Sequence, residues 1–270
     1  MNSNQNTMPP AMILCGGQGT RLRDVTELLP KPMVPIGSQP IVWHIMKNYA
    51  AFGVRRFILC LGYKRENFID YFMSYHARAT DITIKLGQKN QITYHGTSGE
   101  EDWEVTLVDT GDKTMTGGRI ARAAKYLKDT DKDFFLTYGD AVSDVDISAL
   151  LKQHQLEKKA LTVTAVHPAG RFGEMNIVDV NVVGFNEKPP NEDGFINGGF
   201  MVMQKDAANN YLSPAAELIF EQEPMRNVLA DGEMQAYKHD GFWQCMDTAR
   251  EHALLNQLWD SGSAPWTKNW

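Results

Sequence analysis

The chain has 270 residues, of which 43% are hydrophobic and 22% charged, as is typical of a globular protein with a sizeable core. Its 27 basic and 33 acidic side chains leave a net charge of -6 without a long basic block, which argues against a nucleic-acid partner. No apolar run is long enough to cross a bilayer, so no membrane partner is expected. Three widely separated cysteines indicate neither a metal site nor a disulfide framework and favour a reducing cytoplasm.

The opening residues have neither a basic segment nor an apolar one, and they predict a disordered tail over 1–10 followed by one catalytic domain over 11–270. Short apolar runs predict buried strands at 11–14, 56–61, 134–138 and 161–166. Helical patterns lie between several of these runs. The alternation predicts an α/β fold in which helices cover a mainly parallel sheet.

Helices are predicted over 41–53, where Gly53 is the stop signal, and over 117–128. A third is predicted from Ser213, as an N-cap followed by Pro214. Between residues 81 and 109, two segments of period two flank a polar stretch, which predicts an extended hairpin or lid.

The first candidate site is the stretch LCGGQGTRL at 14–22, directly after the first predicted strand. Glycines in a turn from a strand toward a helix let backbone N–H groups approach a phosphate chain, because no Cβ stands in the way. The stretch is not a Walker A loop, and Leu22 stands where a dinucleotide-binding loop has its third glycine. Arg21 and Lys31, the latter between two prolines, could hold a triphosphate by charge-assisted hydrogen bonds. A plain tight turn with two solvated cations is the alternative interpretation.

Together, LCGGQGTRL and the PKPM that follows at 30–33 resemble the signature L-x-G-G-x-G-T-R-L of the sugar-phosphate nucleotidyltransferases. Cys15 replaces the usual alanine, and since both are small and apolar we interpret it as a packing residue rather than a nucleophile. Further blocks extend the resemblance, to the cytidylyl branch of this family, over essentially the whole chain from Ala11. They are WHIMK (43–47), GYK (62–64), VTLVDTGDKTMTGGR (105–119), TYGDAV (137–142), GRFGEMNI (170–177), NEKP (186–189), INGGF (196–200) and GFWQCMDT (241–248).

The resemblance implies a single Rossmann-like domain with a mixed, mainly parallel sheet. It also implies transfer of a cytidylyl group from CTP to alpha-D-glucose 1-phosphate with Mg2+, giving CDP-glucose and pyrophosphate, with dTTP or UTP as the alternative nucleotide. A phosphate monoester has a second pKa near ~6, so its attacking oxygen needs no general base and the reaction chiefly requires positive charge. The family further implies a homo-oligomer in nucleotide-sugar biosynthesis for surface polysaccharide. An aromatic-rich end is compatible with an interface, through Trp259, Trp266 and Trp270.

Two carboxylates follow strand-like runs. Asp140 ends FFLTYGD, and Asp247 ends FWQCMD just before a helical segment. Open parallel sheets place ligand-binding groups at such positions. By resemblance the two aspartates hold Mg2+ and act in catalysis together with Arg21, Lys31 and Lys188. In isolation, either aspartate would be interpreted as a turn or N-cap residue.

The resemblance divides the remaining site residues between two substrates. For the sugar phosphate it implies Glu187 and Lys188 in NEKP and Asn197 and Gly198 in INGGF. For the nucleotide it implies the glycine loop, the first lysine and three later residues, namely Leu14, Cys15, Gly16, Gly17, Gln18, Gly19, Thr20, Arg21, Lys31, Thr114, Arg119 and Gly139. A solvated helix position is an equally good interpretation of Arg119.

Two other functions are open. Asp144-Val145-Asp146 has the D-x-D pattern with which glycosyltransferases of similar fold bind a metal, although Asp146 also stands where a helix N-cap would stand. A glycosyltransferase would leave the three predicted cations unexplained. A catalytically silent nucleotide-sugar sensor would lack a catalytic group, and none is missing.

Overall fold

The computed structural model describes residues 8–17, 28–87, 91–97, 99–100, 102–167, 174–178, 181–186 and 194–270, with the backbone alone described at 174–178 and 181–186. Its strands are β1 (Ala11–Leu14), β2 (Pro35–Ile36), β3 (Gln39–Pro40), β4 (Arg56–Leu61), β5 (Asp81–Lys85), β6 (Gln91–His95), β7 (Glu104–Asp109), β8 (Asp133–Tyr138), β9 (Ala141–Ser143), β10 (Leu161–Val166), β11 (Glu174–Val178), β12 (Asn181–Asn186), β13 (Ile196–Asn197), β14 (Met201–Gln204), β15 (Met234–His239) and β16 (Trp243–Cys245). Its α-helices are α1 (Ile41–Ala51), α2 (Arg65–Met73), α3 (Tyr75–Ala79), α4 (Thr116–Ala123), α5 (Ile147–Glu157), α6 (Lys205–Tyr211), α7 (Glu223–Ala230) and α8 (Ala249–Asp260).

A mixed sheet forms the centre of the molecule. β1 lies between β8 and β4 and is parallel to both, and β7 extends the sheet as a parallel neighbour of β4. On the other side β14 is antiparallel to β8 and to β10, while β13 pairs with the end of β10 and β15 runs parallel along all of it. The prediction of a Rossmann-like fold with a mixed, mainly parallel sheet is confirmed.

Helices cover both faces of this sheet, so its central strands are buried on both sides. In β1, Ala11 and Ile13 pack into one hydrophobic core, and Met12 and Leu14 pack into the other. Such strands are continuous apolar runs rather than alternating ones. All four predicted strands are present, and the third begins one residue earlier, at Asp133.

α1 is the clearest of the predicted helices. Its buried residues include Ile41, Ile45, Met46 and Tyr49, whose spacing predicted it. The helix ends at Ala51, and Gly53 then adopts a φ of +93°, in the left-handed region that favours glycine. The helix and its glycine stop are confirmed.

The helix predicted over 117–128 is shorter. α4 runs from Thr116 to Ala123, a single 3₁₀ turn follows at Ala124–Tyr126, and Leu127 is already extended with a ψ of 130°. Leu127 is nonetheless buried against the core. Its place in the apolar pattern therefore reflects core packing after the helix has ended.

The helix predicted from Ser213 is wrong, since no described residue between 212 and 222 is helical and α7 begins only at Glu223. The segment instead caps α4. Ala216 O accepts the Met115 N–H at 2.7 Å, and Leu218 O accepts the Gly117 N–H at 2.9 Å. The first N–H groups of a helix have no acceptor within the helix, and the carbonyl oxygens of this neighbouring segment supply acceptors.

The excursion between 81 and 109 differs in part from the prediction. β5 and β6 form the expected antiparallel hairpin. The second period-two segment does not belong to it, because β7 joins the central sheet beside β4. β7 is half-buried at the edge of that sheet, and an edge strand with one wet face has the same alternation as a hairpin strand.

Both ends of the described chain pack more closely than predicted. Pro10, placed in the predicted tail, is buried and its carbonyl accepts the Phe135 N–H at 2.9 Å, whereas residues 1–7 lie outside the described residues. Trp266 is fully buried in the core, so this tryptophan is not available to an interface. No helix within the described ranges is long and apolar enough to span a membrane.

Candidate active site

A cleft of about 490 Å³ opens where β1 and β8 end. Parallel strands commonly present ligand-binding groups at this edge. Eight of the predicted site residues line it, namely Leu14, Gly16, Gly17, Lys31, Thr114, Arg119, Gly139 and Asp140. The further lining residues are Pro32, Asp112, Lys113, Met115, Thr116 and Tyr138.

The described part of the glycine loop is held close to its neighbours. Cys15 N donates to Cys60 O at 3.0 Å, which continues the pairing of β1 with β4, and Gly139 N donates to Leu14 O at 3.0 Å. A Cβ on Gly139 would lie 2.9 Å from Pro32 Cγ, closer than side chains normally pack. A side chain at position 139 would therefore collide with Pro32 and with the carbonyl oxygen of Leu14 at the cleft floor. Gln18, Gly19, Thr20 and Arg21 lie outside the described residues.

Arg119 anchors this loop from below. Its Nη2 donates to Gly16 O at 2.9 Å, and its Nη1 donates to Leu61 O at 3.0 Å and to Thr110 Oγ1 at 2.7 Å. The residue is only 4% exposed, so the solvated interpretation of Arg119 is wrong. A Cβ on Gly16 would overlap its guanidinium. The charge thus lies beneath the loop, held by carbonyl and hydroxyl oxygens.

Thr114 is also buried, and its hydroxyl accepts a hydrogen bond from Arg122 Nη1 at 2.8 Å. The same nitrogen donates to Thr110 O at 2.8 Å. Arg122 therefore braces the loop that leads into α4, and Thr114 faces the cleft from that loop.

Lys31 forms the charged centre of the site together with Asp140 and Asp247. It occupies a 3₁₀ turn, Lys31–Met33, that begins after Pro30. Its ammonium donates to Asp140 Oδ2 at 2.6 Å and also to Asp247 Oδ1. Burial disfavours the charged form of Lys31 and tends to lower its pKa. The two carboxylates together have the larger effect and raise the pKa of Lys31 above its ordinary value. Lys31 thus stays protonated at neutral pH.

Local pairing explains why two aspartates more than one hundred residues apart meet. β16 is antiparallel to β9, with Cys245 opposite Ala141, and Met246 N donates to Asp140 O at 2.8 Å. Asp247 therefore follows directly beside Asp140. The Thr248 hydroxyl then starts α8 in a capping box with Glu251, whose Oε2 also accepts the Asp247 N–H at 2.7 Å.

Of the predicted sugar-phosphate residues, the structure describes Asn197 and Gly198, which lie close to Tyr138. Asn197 Nδ2 donates to the Tyr138 hydroxyl at 3.3 Å. Gly198 O accepts the Trp243 indole N–H at 2.7 Å, and a Cβ on Gly198 would lie 2.7 Å from Val166 Cγ1. Glu187 and Lys188 lie outside the described residues.

Sequence reasoning missed a hydrogen-bonded cluster beside the cleft. The Tyr138 hydroxyl donates to Glu221 Oε1 and the Thr116 hydroxyl donates to Glu221 Oε2, each at 2.6 Å. Burial, reinforced by Glu221, raises the pKa of Tyr138, which therefore stays protonated. Glu221 belongs to no motif. The signal that could have identified the cluster is the placement of Tyr138 two residues before Asp140. Lys113, a cation on the cleft wall, was also missed.

The D-x-D aspartates do not converge on the cleft. Asp146 is the N-cap of α5, and its Oδ1 accepts the Ala149 N–H at 2.8 Å. Asp144 pairs with His239 at 2.9 Å and with Lys268 at 2.6 Å. Both aspartates therefore have structural partners, which weakens the glycosyltransferase interpretation.

Cys15 is fully buried, as its interpretation as a packing residue requires. Burial raises the pKa of its thiol, and Cys60 and Asp140 add to the shift. A thiol of this kind stays protonated and is a poor nucleophile. All three cysteines are free thiols.

Comparison with known proteins agrees with this geometry. The family model described as nucleotidyl transferase matches residues 10–257. A glucose-1-phosphate cytidylyltransferase of Salmonella typhi is 45% identical over 96% of this chain and 99% of its own length, and one of Salmonella typhimurium strain LT2 gives the same values. The crystal structure of HddC from Yersinia pseudotuberculosis has the same fold, with a TM-score of 0.66 at 23% identity, over 93% of this chain and all of that one. The family resemblance is confirmed, and this chain belongs to the nucleotidyl transferase family.

Proposed function

We propose that this chain transfers a cytidylyl group from CTP to alpha-D-glucose 1-phosphate, forming CDP-glucose and pyrophosphate. One observation carries the proposal: Lys31, Asp140 and Asp247, from three separate stretches of sequence, meet beside the cleft that the glycine loop lines. The choice of CTP and glucose 1-phosphate rests on the relatives that share 45% of this sequence.

In the proposed reaction a phosphate oxygen of the sugar phosphate forms a bond to the alpha phosphorus of CTP. The bond from that phosphorus to the bridging oxygen breaks, and pyrophosphate leaves with the electron pair. The sugar phosphate is largely dianionic at neutral pH because its second pKa is near ~6, so no base has to remove a proton. The chain's task is to bring two anions together and to balance their charge.

Lys31 supplies fixed charge for this task, and its two carboxylate partners hold the ammonium in place. Gly17, where an added Cβ would meet no described atom within 4 Å, leaves room for phosphates beside the backbone. By family resemblance we assign Arg21 to the nucleotide phosphates and Lys188 to the sugar phosphate, with Glu187, Asn197 and Gly198 contacting the sugar. The hydrogen-bonded cluster of Tyr138, Glu221 and Thr116 would hold the nucleotide side and the sugar-phosphate side of the site in fixed relative positions.

Asp140 and Asp247 are suited to hold Mg2+. Their carboxylates converge on one cation, the Lys31 ammonium, and carboxylate oxygens are the ligands a hard divalent ion prefers. Within the described residues, no three or more histidine, cysteine or acidic side chains are grouped so that they could hold a metal by themselves, and the proposed site therefore consists of two carboxylates. Mg2+ commonly binds through one or two carboxylates together with substrate phosphates, and the pair fits this pattern. When bound, the ion would neutralise charge on the phosphates.

We further propose that residues 11–270 form one catalytic domain, since one sheet and its two cores unite the elements described on it. A cytoplasmic location is supported by three free thiols, two of which are buried.

The test is a comparison of five nucleoside triphosphates, CTP, UTP, dTTP, ATP and GTP, each with glucose 1-phosphate and Mg2+. We expect pyrophosphate release to be fastest with CTP, and mass spectrometry should identify CDP-glucose. Faster release with UTP or dTTP would contradict the choice of base. Transfer of a sugar to an acceptor without pyrophosphate would support the glycosyltransferase alternative.

A further inference from the structure

A chain of hydrogen bonds joins the wall of the cleft at α4 to Asn197. Thr116, at the start of α4, donates to Glu221 Oε2, and the Tyr138 hydroxyl donates to Glu221 Oε1, each at 2.6 Å. Asn197 Nδ2 in turn donates to the Tyr138 hydroxyl at 3.3 Å, and Asn197 Oδ1 accepts the Gly199 N–H at 2.9 Å. Glu221 therefore occupies the centre of a chain that ends on a predicted sugar contact.

Glu221 determines the direction of the hydrogen bonds in this chain. An ionised carboxylate only accepts hydrogen bonds, and a tyrosine hydroxyl has a single hydrogen to donate. Since that hydrogen goes to Glu221, the Tyr138 oxygen can only accept hydrogen bonds from its other neighbours. The group of Asn197 that faces Tyr138 is accordingly the amide nitrogen and not the amide oxygen. Through one hydroxyl, Glu221 thus sets the orientation of the Asn197 amide.

The backbone supports the same orientation of Asn197. A backbone N–H can only donate, so the amide oxygen is the group that faces the Gly199 N–H. The amide nitrogen carries two hydrogens, of which Tyr138 takes one. The second is bonded to no described residue, and Asn197 is exposed. This N–H is therefore available to donate to a ligand.

We propose that Glu221 is a positioning residue for the sugar phosphate: it fixes the Asn197 amide, through the Tyr138 hydroxyl, so that the second N–H donates to a sugar hydroxyl. This inference rests on the proposed function, because it takes glucose 1-phosphate as the ligand at Asn197. An amide already held in one orientation loses less conformational freedom when the ligand binds. Glu221 does not touch the substrate in this arrangement. Its loss should therefore weaken binding of the sugar phosphate and leave the chemical step little changed.

The first test removes the acceptor at position 221. Glu221→Leu cannot accept the Tyr138 hydrogen, so KM for glucose 1-phosphate should rise about tenfold, while kcat and KM for CTP stay within about threefold of wild type. Glu221→Gln keeps an oxygen that can accept this hydrogen, and its KM for glucose 1-phosphate should stay within about threefold of wild type. The matched control is Glu217→Leu, which makes the same charge change at an exposed position of the same segment and should leave all three constants unchanged.

The outcomes separate this inference from the proposed function. Circular dichroism checks that each variant folds. An unchanged KM for glucose 1-phosphate in Glu221→Leu would overturn the inference, while the activity of the wild type would still support the proposed function. Equal losses for CTP and glucose 1-phosphate would also overturn it, because they would indicate a general effect on the cleft. A wild-type protein that releases no pyrophosphate from these two substrates would overturn the proposed function and the inference together.

The second test asks whether Glu221 acts through Asn197. In Asn197→Ala the contact that Glu221 positions is already gone, so adding Glu221→Leu should raise KM for glucose 1-phosphate by less than about twofold more. Two independent contacts would instead give effects that multiply. A further increase of about tenfold in the double variant would show that Glu221 contacts the substrate itself, and it would overturn the positioning role.

Discussion

Lys31 lies between the carboxylates of Asp140 and Asp247, and this geometry predicts how single substitutions at the site change kcat. Removing the charge of either aspartate weakens both the grip on Lys31 and the proposed metal site. We therefore expect Asp140→Asn and Asp247→Asn each to lower kcat by about 10²- to 10³-fold, as is typical for loss of one electrostatic contact to a transferring group. A pyrophosphate-coupled assay measures this.

Asp146→Asn is the control for these substitutions. Asparagine caps helices about as well as aspartate, so α5 should remain capped and kcat should stay within about twofold of wild type. The opposite pattern, in which Asp146→Asn is inactive and Asp140→Asn is active, would move the reaction to the D-x-D aspartates.

The two described glycines of the loop make a second comparison. A Cβ on Gly16 would overlap the buried Arg119 guanidinium, whereas one on Gly17 would meet no atom of the described residues within 4 Å. Gly16→Ala should therefore lower the free energy of unfolding by roughly 1–3 kcal/mol, as overpacking does. Gly17→Ala should change it by less than about 0.5 kcal/mol. Urea unfolding without nucleotide measures both, and equal effects would contradict the described position of Arg119.

For single residues, the sequence predicted those site residues that belong to short local motifs. Lys31 and Asp140 belong to short blocks with a defined chemistry, and both line the cleft. Arg119 was left between two interpretations because a helix pattern does not reveal that a loop one hundred residues earlier covers it. Glu221 was missed since its partners, Tyr138 and Thr116, are far away in sequence.

At the scale of elements, the helix start at Thr248, which the structure has, can be compared with the start predicted at Ser213, which it does not have. Thr248 caps α8 with both hydrogen bonds of a capping box, whereas Ser213 is exposed in a non-helical segment. Thr248→Ala should lower the free energy of unfolding by about 0.5–2 kcal/mol, and Ser213→Ala should have no measurable effect. Thermal unfolding distinguishes them. A large effect of Ser213→Ala would mean that the segment before α7 depends on its hydroxyl.

The positions of strands that are buried on both faces were predictable from their apolar residues. β1, β4 and β10 were predicted at their observed bounds because continuous apolar runs of this length suit strands covered on both sides. β7 was assigned to the hairpin because alternation shows that one face is wet and does not identify the neighbouring strand. The segment after Leu212 reads locally as a helix start, but tertiary hydrogen bonds to α4 determine its conformation.

For the whole molecule, His44 links stability to pH. Burial lowers its pKa from 6.5 to about 4, although a backbone hydrogen bond to Ile36 opposes the shift. Between these pH values the unfolded chain takes up a proton that the folded chain does not. The stabilisation is therefore fully present above pH 6.5 and is lost as pH falls toward 4, by at most about 3 kcal/mol.

His44→Gln should reduce the pH dependence of unfolding across that window, because glutamine cannot titrate. The measurement is the free energy of unfolding in urea at several pH values, and the relevant quantity is its slope. His76→Gln, at an exposed helix position, should leave the slope as in wild type. An unchanged slope in His44→Gln would show that His44 is not the group responsible.

Four of the six tryptophans lie in ring contact with His44: Trp43, Trp259, Trp266 and Trp270. Three of them come from α8 and the residues after it, while Trp43 and His44 belong to α1. The chain consequently carries an intrinsic optical probe of this junction. Release of the last helix from α1 would expose several indoles to water at once and shift their emission to longer wavelength, so a fluorimeter can follow that step without any added dye.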